Sequence, residues 1–162
     1  MAALKLNFDD FDEVDYDLIA IHTSLEDYRL AYMINQQLPI ILSKNKKNVE
    51  VISKFGEVLF SQFSFFDDTK EISWHLVQNK NEIVNFKKST DRNLFFNKEI
   101  ETVLKVFLLP EYKKVDYFLK IENDQNTVNI EFILKKLNTI TNISTVYIVN
   151  PNTIKSKNNL IF

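Results

Sequence analysis

The stretch "VDYFLKIENDQNTVNIEFILKKLNTITNISTVYIVN", Val115 to Asn150, decides the fold because its apolar residues change their period twice. Residues 115–121 alternate between apolar and polar faces, which predicts a strand. In "NIEFILKKL" the apolar positions recur at i, i+3, i+4 and i+7, which predicts a helix whose buried face carries Ile130, Ile133, Leu134 and Leu137. The β-branched run "STVYIVN" before Pro151 predicts another strand. The stretch is therefore expected to form a β-α-β unit.

A second strand and helix are predicted near the other end of the sequence. "DYDLIAIHT" is a short apolar run that favours a strand over residues 15–23. In the following "TSLEDYRLAYMINQQLP", Thr23 and Glu26 have the spacing of a capping box, and Pro39 is expected to lie just past the helix end.

The segment between these units, residues 40–109, predicts an antiparallel meander. Strand signals come from "PIILS", "VEVI", "EVLFSQFSFF", "EISWHLV" and "TVLKVFLL", and "FFDDTKEI" is expected to connect a hairpin. Residues 99–109 also fit helical spacing, so a strand is favoured there and a helix stays open. We predict one α+β domain over residues 1–162, with a single mixed, mostly antiparallel sheet and two main helices on one face.

Composition excludes several classes of function. Among 162 residues there is one glycine, Gly56, whereas a Walker loop needs two and a Rossmann fingerprint about three. The chain has no cysteine and two histidines, so we predict neither a metal site nor a cofactor. No stretch approaches the roughly 18 apolar residues of a membrane helix, and the start lacks a signal-peptide pattern. We expect a cytoplasmic protein without a membrane partner.

The segment "NFKKSTDRNLFFNK", residues 85–98, interleaves basic and aromatic residues. Bases of single-stranded RNA stack on aromatic rings while lysines neutralise phosphates, which makes this segment the candidate nucleic-acid contact. The residues concerned are Lys87, Lys88, Arg92, Phe95, Phe96 and Lys98. A net charge of −2 falls short of the basic footprint typical of such proteins, so a lysine-rich loop held by its phenylalanines explains the same pattern.

The sequence ends on three apolar residues, Leu160, Ile161 and Phe162, after a basic stretch. Apolar side chains at a chain end are expected to be buried. Docking on the chain's own core and insertion into a partner's groove or sheet edge are both open.

The segment "LPEYKKVDY", residues 109–117, resembles the signature of the IPExxxVDY family, a set of small bacterial proteins. Leu109 stands in the isoleucine position, and the spacing matches at the other signature residues, Pro110, Glu111, Val115, Asp116 and Tyr117. The resemblance extends to "SLEDYRLAY" and to the "KSKNNLIF" end. It implies no assigned activity, cofactor or catalytic residue.

The signature itself predicts a turn, with Glu111 and Asp116 on either side of it and Lys113 and Lys114 close to them. Two carboxylates can perform acid-base chemistry in a water-poor pocket, but beside a turn a recognition surface or a structural role is favoured. The first hypothesis is a non-enzymatic interaction or accessory domain that binds another protein through the signature, a sheet edge or the C-terminal residues. The alternatives are an RNA-binding accessory protein and an enzyme or small-ligand binder with an aromatic-lined pocket.

Overall fold

The computed structural model describes residues 16–88, 99–123 and 127–162. Within these ranges the chain forms an α+β fold with two α-helices, three short 3-10 helices and ten strands, which confirms the predicted class. The α-helices are α1 (Asp27–Gln37) and α2 (Ile130–Asn138). The strands are β1 (Tyr16–Thr23), β2 (Ser43–Lys44), β3 (Val49–Ser53), β4 (Gly56–Phe60), β5 (Gln62–Asp67), β6 (Ile72–Gln78), β7 (Lys80–Lys88), β8 (Glu99–Phe107), β9 (Tyr117–Glu122) and β10 (Ile143–Val149).

Six strands form the main sheet in the order β10-β1-β9-β6-β5-β2, and each neighbouring pair is antiparallel. β9 and β10 both run antiparallel to β1, which lies between them, so α2 connects two strands that share a direction. The predicted β-α-β unit is therefore present, with β1 inserted at its centre.

One face of the sheet is covered by both helices. Alternate residues of the central strands point to this face because side chains along a strand have a period of two. The helices contribute residues at the spacing that the sequence predicts. The buried members of this layer include Ile19, Ile21, Leu30, Ile34, Leu119, Ile121, Ile133 and Leu137. The arrangement of two helices on one face is confirmed.

The opposite face is covered without an α-helix. Leu18 and Phe118 point to this side and pack against the β3–β4 hairpin, the segment around Leu108 and the chain end at Leu160. β9 is buried on both faces because it lies between the two layers, and each residue from Tyr117 to Ile121 is buried. This second layer brings the signature and the C-terminal residues together on the sheet.

Two hairpins lie outside the main sheet. β3 and β4 are joined by a turn of two residues, Lys54 and Phe55. Gly56 follows this turn, and its φ of 123° lies in a region where glycine is strongly favoured. β7 pairs with β8 over nine residue pairs from Lys80–Phe107 to Lys88–Glu99. Residues 99–107 therefore form a strand, the favoured of the two possibilities.

Three local predictions need correction. α1 begins at Asp27 with Glu26 as its N-cap, so the Thr23–Glu26 capping box is wrong. Thr23 is the last residue of β1, and its hydroxyl accepts a hydrogen bond from Leu25 N at 3.1 Å. The strand predicted at "PIILS" is limited to Ser43–Lys44, and "EVLFSQFSFF" is divided between β4 and β5.

In the described ranges, the helices are too short or too polar to cross a membrane.

Candidate functional site

The signature segment is folded into the second layer of the protein. Leu109 and Val115 are fully buried, and Pro110–Tyr112 forms a single 3-10 turn between them. Tyr117 begins β9, and its hydroxyl donates to Leu25 O at 2.9 Å. Burial, reinforced by nearby carboxylates, raises the pKa of Tyr117 to about 12, so the hydroxyl is a hydrogen-bond donor at neutral pH. Leu109, Val115 and Tyr117 therefore belong to the core, whereas Pro110 is exposed.

Asn79, the single residue between β6 and β7, holds this segment in place. Its side chain is fully buried, and Nδ2 donates to Tyr112 O at 2.9 Å and to Val115 O at 2.8 Å. Its Oδ1 accepts from Leu109 N at 2.9 Å, and its backbone N–H donates to Asp116 O at 2.9 Å. The amide thus binds three backbone groups of the signature, and for Val115 O and Leu109 N it supplies the partner that a buried group requires.

The two signature carboxylates also bind groups of the same chain. Asp116 Oδ2 accepts from Thr23 N at 2.9 Å, and Oδ1 accepts from Lys80 Nζ at 2.8 Å. The ion-pair partner of Asp116 is Lys80 on β7, which the sequence did not indicate. Lys80 can reach Asp116 because Asn79, the residue before it, binds the backbone of Asp116.

Glu111 fastens the C-terminal part of the chain. Its Oε1 accepts from the backbone N–H groups of Lys155 and Ser156, each at 2.8 Å, and its Oε2 accepts from Ser156 Oγ at 3.1 Å. Desolvation opposes ionisation, but the combined hydrogen bonds, that from Ser156 N foremost, lower the pKa of Glu111 below its ordinary value. Both signature carboxylates therefore act as hydrogen-bond acceptors that connect distant segments.

The C-terminal residues dock on their own chain, apart from Ile161. Leu160 is 1% exposed and lies in the second core layer, whereas Ile161 is 77% exposed. The ring of Phe162 lies edge-on to His75, with 5.4 Å between their centres. Of the two possibilities, the structure therefore places Leu160 and Phe162 in contact with the chain itself.

A buried polar cluster lies beneath this docked segment. Lys120 is 5% exposed, and its Nζ donates to Leu160 O at 2.8 Å and forms an ion pair with Glu122. Nζ also lies 5.0 Å from the ring centre of Tyr16 and 4.8 Å from that of Phe162. The alternation of residues 115–121 places Lys120 on the strand face opposite Leu119 and Ile121, but it did not indicate that this residue is buried.

His75 completes the cluster. Its Nε2 lies 3.9 Å from Glu122 Oε2, and its Nδ1 lies 3.1 Å from Gln62 Nε2. Burial lowers the pKa of His75, although Glu122 partly opposes this effect. A histidine and a carboxylate could exchange a proton, but 3.9 Å exceeds hydrogen-bond distance, and Phe162 packs against the ring. The cluster therefore supports the docked C-terminal segment and does not have the geometry of a reaction site.

Over the described part of the chain, no three potential ligands converge as a metal site would require.

The candidate nucleic-acid segment falls largely outside the described residues. Lys87 and Lys88 end strand β7, whereas Arg92, Phe95, Phe96 and Lys98 lie in 89–98, outside the described ranges.

The outer surface of α1 is the most aromatic exposed surface among the described helices. Tyr28 and Tyr32 are one turn apart and are 56% and 62% exposed. They border a groove of about 480 Å³ whose remaining lining residues are Leu25, Arg29, Met33 and Asn142. The two tyrosines in "EDYRLAYM" are four residues apart, a spacing that buried residues of a helix also have. The sequence pattern therefore did not indicate that they are exposed.

A second cleft, of about 210 Å³, lies between the end of α1 and the start of α2. Trp74 and Ile72 are buried at this cleft, Phe132 is half-exposed, and Asp67 and Lys70 contribute charges. Its volume is below the roughly 300 Å³ at which typical small-molecule sites begin.

Comparison of the chain with models of known protein families, with curated proteins and with solved structures found no match. The resemblance to the IPExxxVDY signature therefore stays a prediction.

Proposed function

We propose that this protein is a non-enzymatic interaction module that binds another protein through the outer surface of α1. The observation that carries the proposal is the pair of exposed tyrosines, Tyr28 and Tyr32, at the border of an apolar groove. We call the surface formed by Leu25, Tyr28, Arg29, Tyr32 and Met33 the α1 surface.

The residue types of the α1 surface support protein binding. Tyrosine and arginine are enriched among the residues that dominate binding energies, because a large rigid side chain buries much area at little cost in entropy. Core packing explains Leu30, Ala31 and Ile34 of the same helix, which are buried against the sheet. Packing does not explain two large aromatic side chains that remain more than half exposed.

Two of the other surfaces that the sequence proposed for a partner, the signature and the C-terminal residues, already make contacts within the chain. The signature carboxylates accept hydrogen bonds from Thr23, Lys80, Lys155 and Ser156, and Leu160 is buried in the core. A partner at either place would first have to displace these contacts. In the described part of the chain, Tyr28 and Tyr32 are exposed without any such rearrangement.

The test is affinity purification of the tagged full chain from its own host, with and without nuclease. The wild type is compared with the double variant Tyr28→Ser/Tyr32→Ser and with Ile52→Ser. Ile52 is 83% exposed on β3, so its variant removes exposed apolar area from a different surface. We expect a protein in stoichiometric amount with the wild type and Ile52→Ser, and its loss with the double variant.

Circular dichroism and the melting temperature of each variant control for folding, and exposed substitutions are expected to change stability by about 0.5 kcal/mol or less. A partner that the folded double variant retains would contradict the proposal. Partners that disappear on nuclease treatment would instead favour the RNA-binding alternative and direct mutagenesis to Lys87 and Lys88.

A further inference from the structure

The two edges of the main sheet differ in their protection against pairing with another strand. β2 at one edge has only two residues, and the lysines Lys44, Lys46 and Lys47 lie in or just after it. Short edge strands and lysines are the usual protection against edge-to-edge pairing. This edge is therefore blocked.

The other edge, formed by β10, has no such protection. Its sequence "ISTVYIV" has seven residues without charge, proline or glycine, and β-branched and aromatic residues predominate. β10 pairs with β1 on one side, and within residues 16–88, 99–123 and 127–162 no strand pairs with its outer side. Tyr147 and Ile148 are 37% and 50% exposed there. An open edge of this kind is a template for another strand.

The register of β10 limits where a new strand can pair. His22 is opposite Thr145 and Thr23 is opposite Ile143, so Ser144 is an extra residue at a bulge. The regular part is residues 145–149. Val146 and Ile148 lie on the helix side because they pair with Ile21 and Ile19, whereas Tyr147 lies on the other side.

We propose that the outer edge of β10 pairs antiparallel with β10 of a second copy of this chain. A twofold axis at Tyr147 places Thr145 opposite Val149 of the second copy, Val146 opposite Ile148, and Tyr147 opposite its own equivalent. No position in this register brings two charges together, and apolar side chains meet on each face. The half-exposed Ile148 becomes covered by Val146 of the other copy, and the two main sheets join into one of twelve strands.

The charges on α2 favour a second copy as the occupant. Four residues connect α2 to β10, so the helix runs roughly antiparallel to the strand and lies over the same edge. The twofold axis therefore brings two α2 helices side by side in opposite directions. Glu131 in the first turn and Lys135 in the last are both exposed, so each faces the opposite charge of the other copy. The opposed helix dipoles add to this attraction.

The helices are also needed for sufficient contact area. A ladder of five residues buries less than the roughly 1,600 Å² of a typical specific interface, and the two α2 helices extend the contact on one face. The proposal is independent of the α1 surface, since it uses a different strand and a different helix.

The test is the mass of the full chain in solution, measured by light scattering and analytical ultracentrifugation over a concentration series. The wild type is expected to be a dimer. Ile148→Lys places a charge in the shared apolar contact and is expected to raise the dissociation constant about a hundredfold or more. Ile52→Lys introduces the same residue at an exposed position outside β10 and is expected to leave the dimer intact. Circular dichroism establishes that each variant is folded.

A charge exchange tests the helix contact and does not disturb the strand. Glu131→Lys alone is expected to weaken the dimer about tenfold, and Glu131→Lys with Lys135→Glu is expected to restore it, because the two charges then pair in the reversed order. A wild type that is monomeric over the whole series would overturn the proposal. So would a dimer that a folded Ile148→Lys variant retains, or a double variant as weak as Glu131→Lys.

Discussion

Asn79 and Lys120 both lie buried beneath a segment that covers the second face of the protein, but they hold that segment in different ways. Asn79 binds three backbone groups of the signature through a neutral amide. Lys120 binds the carbonyl of Leu160 through a charge that also needs Glu122 as its counter-ion. A neutral site therefore depends on geometry alone, whereas a charged site also depends on the protonation of its neighbours.

Substitution of Asn79 tests the neutral site and should have the largest effect. Asn79→Ala leaves the buried carbonyl of Val115 and the N–H of Leu109 without partners, and each such group costs about 1–3 kcal/mol. We expect the free energy of unfolding to fall by about 2 kcal/mol or more. Urea denaturation measures this change, and Asn152→Ala at an exposed position is the control. A loss below about 1 kcal/mol would show that the amide does not hold the signature.

Lys120→Met tests the charged site and should have a smaller effect. Methionine retains most of the apolar stem, and Glu122 is 38% exposed, so water can solvate its charge when the lysine is removed. We therefore expect a loss of about 1–2 kcal/mol, below the cost of stranding a fully buried charge. Hydrogen exchange should show faster opening of residues 157–162, while amides of the signature keep their protection. Unchanged exchange at Asn159 and Ile161 would argue that other contacts hold the segment.

The pH dependence of stability should separate the two sites most finely. Burial lowers the pKa of His75 in the folded protein, so the unfolded chain takes up a proton first as the pH falls below about 6.5. Stability contributed by His75 is present in full above that pH and is lost as the pH falls through the folded pKa. We expect His75→Gln to reduce the stability difference between about pH 7.5 and pH 5.5. Asn79→Ala should retain the wild-type difference, and an unchanged difference in His75→Gln would assign it to other groups.

The repeating patterns of the sequence predicted the elements that span a core. α2 has apolar residues at helical spacing because one side packs on the sheet, and its buried residues are Ile133 and Leu137. Residues 99–109 fitted both periods, and only the pairing of β8 with β7 selects the strand. Long-range pairing of this kind leaves no local signal, so the sequence alone left the choice open.

The hydrogen bonds of Asn79 and Glu111 could not be predicted from the sequence for a related reason. An asparagine between two apolar runs is typical of a loop, and nothing near Asn79 in sequence indicates that its partners are Leu109, Tyr112 and Val115. The same holds for Glu111, whose partners follow more than forty residues later. Thr23 and Glu26 matched a local helix-start pattern, but β1 extends through Thr23 because β10 pairs with it there. Tertiary contacts overrode the local preference.

The β7–β8 hairpin leaves the body of the protein at two adjacent points, and Asn79 binds at both. Asn79 directly precedes β7. Just after β8, its backbone carbonyl accepts a hydrogen bond from Leu108 N at 2.8 Å, and its side-chain oxygen accepts one from Leu109 N. Nine residues of strand extend about 30 Å, so a small rotation at this base moves the far end by a multiple of the displacement near Asn79. One buried amide thereby holds both strands at the base of the hairpin, and it fixes the direction of β7 and β8 together with the contacts that β7 makes with β4.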